Sequence, residues 1–248
     1  SNKLINSQMT LDFAYTLYLL LNNDTTIERS QIKHYVAKWF VMSTLTSRYT
    51  GSPETQMDFD IKRIREKGFL PFFQEVEEAN LSDTFWNVRL VQLLETQIIN
   101  SPFFNVFLAA QIYKGNNALF CNGTKVGYLI TLIGDVHHIF PKQYLRNNGY
   151  NEKIQYNQIA NFTYLDTQVN KDISDAAPNV YFTNAIKQCE EGNARYGNIT
   201  DLNCLKTNMA ENCIPEQIVD MDYSDYPDFL IARRKLMAAK IKDYYYSL

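Results

Sequence analysis

Two of the chain's three histidines, His137 and His138, stand side by side in Asp135-Val136-His137-His138-Ile139-Phe140-Pro141, a short apolar run ended by proline. A second apolar run, from Ile159, leads through Asn161 into a polar stretch carrying Asn170. This set of side chains suits hydrolysis of a phosphodiester. That reaction needs an activated water molecule and stabilisation of the negative charge growing on the phosphoryl and leaving oxygens, and a divalent cation with a neutral imidazole supplies both. One histidine can hold the ion while its neighbour takes a proton from water, provided the strand twists or ends between them, because an ideal strand points successive side chains apart. Pro141 ends the run.

The elements that must position these residues form a β-β-α unit. Residues 135 to 140 and 162 to 165 read as two strands joined by the polar loop around Asn147-Asn148-Gly149, and Asp166 or Thr167 reads as the cap of a following helix. Asp135, two residues before His137, could share its strand face as a partner of that imidazole or an additional ligand.

His137-His138-Ile139-Phe140-Pro141 with Asn161 and Asn170 resembles the His-Asn-His (HNH) nucleases of the ββα-metal superfamily, whose signature is an acidic or histidine residue followed by His, two residues and Pro. The resemblance implies His138 as general base, His137 as metal ligand, Asn161 as the residue that orients the base, and Asn170 as second metal ligand on the helix. Asparagine at that last position implies Mg²⁺ or Mn²⁺ with oxygen ligands. The wider text is similar to the C-terminal nuclease half of GmrSD-type, modification-dependent restriction proteins. It comprises His-His-Ile-Phe-Pro-Lys, the stretch from Asn157 to Asp175, Pro178, Tyr181 and the closing Phe-Leu-x-x-Arg-Arg-Lys-Leu-Met. The segments around Lys38-Trp39-Phe40 and Gly51-Ser52-Pro53-Glu54-Thr55 are similar to the linker bundle of those proteins. By this likeness DNA is the substrate, phage defence the setting, and an N-terminal nucleotide-hydrolysing domain the missing partner. Neither a Gly-rich phosphate loop nor that domain's Asp-Gly-Gln-Gln-Arg signature occurs here. Two nicking sites must cooperate to sever a duplex, which leaves a homodimer open.

The rest of the chain reads as scaffold. From about residue 9 to 113 the pattern is helical, with start signals at Ser52-Pro53-Glu54, at Ser82 and at Ser101-Pro102, a buried stripe of Met57, Ile61 and Ile64, and a stop at Gly115-Asn116-Asn117. His34 and the aromatic residues of this region are assigned to core and surface. Val126, Tyr128, Ile130 and Leu132 suggest strands. The chain ends in a helix from about Asp228, on which Arg233-Arg234-Lys235 reads as a solvated face rather than a DNA contact. The expected class is therefore α+β, mainly α-helical. A helical bundle or linker region, 1–118, precedes an HNH nuclease domain with C-terminal helices, 119–248.

Bulk properties narrow the field. A hydrophobic fraction of 46% suits a folded chain, and a net charge of -3 gives no global attraction to nucleic acid, so DNA contacts must be local. Cys121, Cys189, Cys204 and Cys213 form no Cys-x-x-Cys pair, so reduced thiols in the cytoplasm are expected and a structural zinc is not. Apolar runs are too short to span a membrane. Triplets such as Asn122-Gly123-Thr124 are read as chance, and Ser1-Asn2 as a remnant of a cleaved tag. Two rival readings stand beside the nuclease. In one, the histidines finish a strand while the asparagines cap a turn and a helix; in the other, the chain is a catalytically decayed nucleic-acid- or partner-binding helical module.

Overall fold

The computed structural model describes residues 4, 5, 7–132 and 136–248. Four helices open the chain: α1 (Gln8–Asn22), α2 (Arg29–Leu45), α3 (Pro53–Lys67) and α4 (Phe69–Asn80). They bury aromatic side chains against one another. Phe13 of α1 stacks on Trp39 of α2 with ring centroids 5.8 Å apart, and Phe69, Phe72 and Phe73 of α4 close around the same indole. Pro53 occupies the first turn of α3, where its missing N–H costs nothing, and Ile64 is buried with Met57 and Ile61 partly buried beside it.

A polar knot ties α2 to α3 beneath this cluster. Asp60, fully buried, accepts from Arg48 Nε (2.8 Å), Tyr49 Oη (2.8 Å) and Gln56 Nε2 (2.9 Å). Trp39 Nε1 donates to Tyr49 Oη in turn at 2.9 Å. Burial works against the Arg48 charge, but the hydrogen bond and field of Asp60 outweigh it and raise the guanidinium's pKa. Burial pushes the Tyr49 phenol up, and the Asp60 carboxylate pushes it further. Asp60→Asn keeps the shape and removes the charge, so the guanidinium faces a neutral amide. The expected loss is about 2–3 kcal/mol, the worth of hydrogen bonds to a charged group, and lowers Tm by roughly 4–12 °C in a chain of this size. A calorimetric scan checks it, and an unchanged Tm means the knot contributes nothing net.

The middle of the chain gives a helical stretch with a π-helical turn at Phe85–Arg89 that runs into α5 (Leu90–Leu93), then α6 (Pro102–Tyr113) and α7 (Val126–Leu132). The expected strands at Val126, Tyr128, Ile130 and Leu132 are therefore a helix. The residues that decide it are Val126, Leu129 and Ile130, buried at the i, i+3, i+4 spacing of one helical face, while Tyr128 is exposed. Tertiary packing overrides the β preference of these types.

Two short strands follow, β1 (Val136–His138) and β2 (Phe162–Tyr164), antiparallel, with Val136 opposite Tyr164, His137 opposite Thr163 and His138 opposite Phe162. Between them lie α8 (Lys142–Asn147), α9 (Lys153–Tyr156) and a 3₁₀ turn, Ile159–Asn161. The expected strand at 135–140 thus ends at His138. Ile139 N–H still donates to Asn161 O (2.8 Å), but Phe140 N–H turns to the Asn161 side chain, which replaces a sheet partner. β2 stops one residue short of the expectation, as Asp166 caps α10 (Thr167–Ile173) by accepting from Gln168 N at 2.8 Å.

The chain closes with α11 (Pro178–Glu191), α12 (Leu202–Glu211) and the long α13 (Tyr226–Ser247). α13 packs against α2, α5, α6 and the 3₁₀ turn before β2, and one continuous apolar cluster runs from Phe13 to Tyr245. The result is a mainly helical α+β fold with a single two-stranded sheet among the described residues. No described helix is long and apolar enough to cross a membrane.

Arg233 and Arg234 overturn the expectation of a solvated basic face on α13. Arg233 is 1% exposed and Arg234 is buried, whereas Lys235 is exposed. Arg233 Nη1 donates to Ala160 O (2.8 Å) and Phe162 O (2.7 Å), and Nη2 to Asn212 O (3.2 Å). A charge run in sequence cannot reveal that a guanidinium's forked donors match three inward-facing carbonyls.

Candidate functional site

The β1-β2-α10 unit, with the 3₁₀ turn that leads into β2, carries the four residues singled out in the sequence and divides them into three groups. Successive side chains of a strand leave on opposite faces, so His137 and His138 part company. His137 goes inward, 5% exposed, where Asn170 of α10 meets it. His138 is half-buried and turns toward the exit of α9. Asn161, fully buried, touches neither imidazole through its side chain and grips backbone instead.

His137 is the most constrained of these. Its Nε2 is buried with no hydrogen-bond partner among the described residues, a condition costing about 1–3 kcal/mol. Burial pushes its pKa down to about 4; the Asn170 side chain works against that fall and neighbouring His138 adds to it. The imidazole is therefore neutral near pH 7 and presents a lone pair, the state in which histidine binds a metal. A buried imidazole with an orphaned ring nitrogen and an amide side chain acting on the same ring fit one edge of a hard-cation site. Among the described residues no three His, Cys, Asp or Glu side chains gather, so an ion there would rest on His137 Nε2, the Asn170 amide oxygen, and oxygens from water or a phosphate. Asp135, considered as an added ligand, lies outside the described residues.

His138 Nε2 lies 2.9 Å from Asn157 Oδ1, an oxygen that can only accept, so the ring donates here. Its ring meets the Phe162 ring edge-on, centroids 5.0 Å apart at 88°, with Tyr156 at 6.3 Å. Burial lowers its pKa, the Asn157 bond raises it, and the Lys142 cation lowers it again, so the outcome is a lowered value and a neutral ring at pH 7. Lys142 stands over Tyr156 at 5.3 Å from the ring centre.

The Asn161 side chain, expected to orient the base, has hydrogen-bond partners on the backbone and none on an imidazole. Its Oδ1 accepts from Phe140 N (2.8 Å), and its Nδ2 donates to Phe140 O (3.1 Å) and Tyr156 O (3.2 Å). It thus clamps the backbone two residues after His138 and one before Asn157. The side chain on the ring itself is Asn157, which sequence reasoning missed. An asparagine in a polar loop of an asparagine-rich chain reads as a turn residue, and no spacing distinguishes it. Tyr181, whose Oη donates to Ile139 O at 2.6 Å, and Arg233 hold the same backbone from the other side.

All four cysteines are free, Cys121 and Cys213 buried, Cys189 partly buried and Cys204 exposed. Burial raises the Cys121 thiol to about 11, with the Asp166 charge adding to it, so this thiol stays protonated.

No family model matches the chain, and no solved structure matches it. The chain is similar to an uncharacterised protein, MJ0686, of Methanocaldococcus jannaschii, with 29% identity over 157 residues, which are 61% of this chain and 25% of that protein. The chain thus spans a quarter of the length of the curated relative it matches. This likeness brings a sequence relative and no activity.

Proposed function

We propose that the chain is a metal-dependent endonuclease of the HNH kind, hydrolysing DNA phosphodiester bonds as the nuclease part of a restriction protein used in phage defence. The observation that carries this reading is the meeting of His137 on β1 with Asn170 on α10, where a buried, neutral imidazole interacts with the Asn170 side chain while its Nε2 has no hydrogen-bond partner among the described residues. The ordering β1, β2, α10 and a second neutral imidazole next along the strand support it.

In this reading His137 and Asn170 hold Mg²⁺ or Mn²⁺, which when bound stabilises charge on the phosphoryl and leaving oxygens. His138 accepts a proton from the attacking water as the new P–O bond forms and the ester P–O bond opposite breaks. Lys142, exposed and close to His138, offers a cation to the DNA backbone. With a chain net charge of -3, such local cations must provide the contact. Target recognition and nucleotide dependence fall to a further domain of the same protein, and duplex cleavage to two copies acting together.

Metal binding tests the reading directly. Mn²⁺ at about a hundred times its Kd should stabilise the chain by about 2.7 kcal/mol, seen as a rise in Tm that chelator reverses. His137→Ala and Asn170→Ala should each abolish the rise. One observation favours the second reading, a decayed binding module: His137 is almost wholly enclosed. A wild-type chain whose Tm ignores Mn²⁺ and Mg²⁺ supports that module and sinks the metal site.

A further inference from the structure

The contact on the His138 ring points to a residue that fixes which nitrogen acts. His138 Nε2 lies 2.9 Å from Asn157 Oδ1. An amide oxygen only accepts, so this bond requires a proton on Nε2, and the neutral ring then carries its lone pair on Nδ1. Nδ1 has no hydrogen bond among the described residues. A general base needs such a nitrogen, with a free lone pair and its ring held in place.

Asn157 is itself held from several directions. Its backbone N–H closes α9 on Lys153 O at 2.9 Å, and α9 opens with a capping box in which Glu152 N–H donates to Gln155 Oε1 at 2.9 Å. Tyr226 Oη donates to Gln155 O (3.0 Å), Asn161 Nδ2 to Tyr156 O (3.2 Å), and Ile159 N–H to Thr96 O (2.8 Å). The residues on both sides of Asn157 are thus pinned to α13, to the 3₁₀ turn before β2 and to the segment after α5. A short polar side chain on so fixed a backbone has few directions open to it, and this one meets an imidazole.

We propose that Asn157 is the positioning residue of the site, accepting a hydrogen bond from the Nε2–H of His138 so that Nδ1 faces the attacking water as the basic nitrogen. The proposal rests on the nuclease reading. Asn161 then acts one step removed, by holding Tyr156 and Phe140 about the His138–Asn157 pair.

The chain has three histidines, so ¹⁵N-histidine labelling with His138→Ala as the assignment standard isolates the His138 ring signals. Near neutral pH, without metal, the wild type should show a protonated Nε2 and a bare Nδ1. Asn157→Ala should give a mixture of tautomers and a plasmid-nicking kcat lower by about tenfold to a hundredfold, the usual cost of losing a partner that orients a functional histidine, with KM for DNA unchanged. Asn157→Asp retains an acceptor at the same reach and should restore both the tautomer and most of kcat. It also guards against an alanine variant that fails to fold. A wild-type ring protonated at Nδ1 overturns the assignment, as does Asn157→Ala nicking at the wild-type rate. A wild type that nicks no faster than His138→Ala overturns the nuclease reading itself, and with it the role given to Asn157, whatever the tautomer.

Discussion

His138→Ala lowers metal-dependent nicking of supercoiled plasmid by roughly 10²- to 10⁴-fold, the range in which a positioned general base contributes. The expectation follows from the division of labour along β1. His137 turns inward to Asn170, whereas His138 is half-buried, neutral and tethered at one nitrogen only. Removing the His138 ring leaves the pair proposed to hold the ion intact, so the Mn²⁺-dependent rise in Tm should survive the substitution while turnover collapses. His137→Ala should lose both. Equal nicking by wild type and His138→Ala assigns the activity to a contaminating nuclease and removes the base from the mechanism. Loss of the Tm rise in His138→Ala would mean that the two imidazoles share one ligand, contrary to their opposite faces.

Arg233→Ala should cost about 3–5 kcal/mol, the penalty for emptying a buried, hydrogen-bonded charge site. Three carbonyls, Ala160 O, Phe162 O and Asn212 O, lose their donors at once, and each buried orphan is worth about 1–3 kcal/mol. Part of that is offset, because the guanidinium is itself costly to bury: burial lowers its pKa to about 10, and its Nε has no partner. In a chain of this size Tm should fall by roughly 6–20 °C, measured by calorimetry. Arg233→Lys should rescue little, since an ammonium point charge cannot span carbonyls that a planar fork reaches together. Because Ala160 and Phe162 flank Asn161, nicking should fall below what the lost stability explains when assayed well under the melting range. A Tm within about 2 °C of wild type, less than a 1 kcal/mol loss would give, would show that water or neighbouring donors satisfy those carbonyls and that the clamp is dispensable.

What could be read from the chain alone were features governed by neighbours in sequence. Pro53 and Glu54 after Ser52 marked the start of α3, where a proline in the first turn gives up no hydrogen bond, although Ser52 makes no side-chain cap there; Asp166 marked the start of α10, because its cap is a bond between a side chain and an amide two residues on. Two short strands and a capped helix were expected at 135–140, 162–165 and from Asp166 or Thr167, and the structure gives them as 136–138, 162–164 and 167–173; the pairing of His137 with Asn170 came from a family resemblance rather than from a local pattern. Residue type and spacing also pointed to imidazoles with amide oxygens as the candidate chemistry, and the charge of -3 leaves any attraction to nucleic acid to local cations.

Long-range contacts decided the rest. Val126 to Leu132 is β-prone by composition yet helical, since burial of one face against α6 outweighs a preference worth about 1 kcal/mol at most. Arg233-Arg234 reads as a surface patch until α13 is laid across β2, where backbone carbonyls from two distant segments fit the guanidinium fork. Asn157 and Asn161 are alike in type and four residues apart, and only the folded path gives one to the His138 ring and the other to the backbone of Phe140 and Tyr156. The physical reason is common to all three cases: a hydrogen bond or buried face between residues remote in the chain depends on where the backbone has been carried, and no local pattern encodes that path.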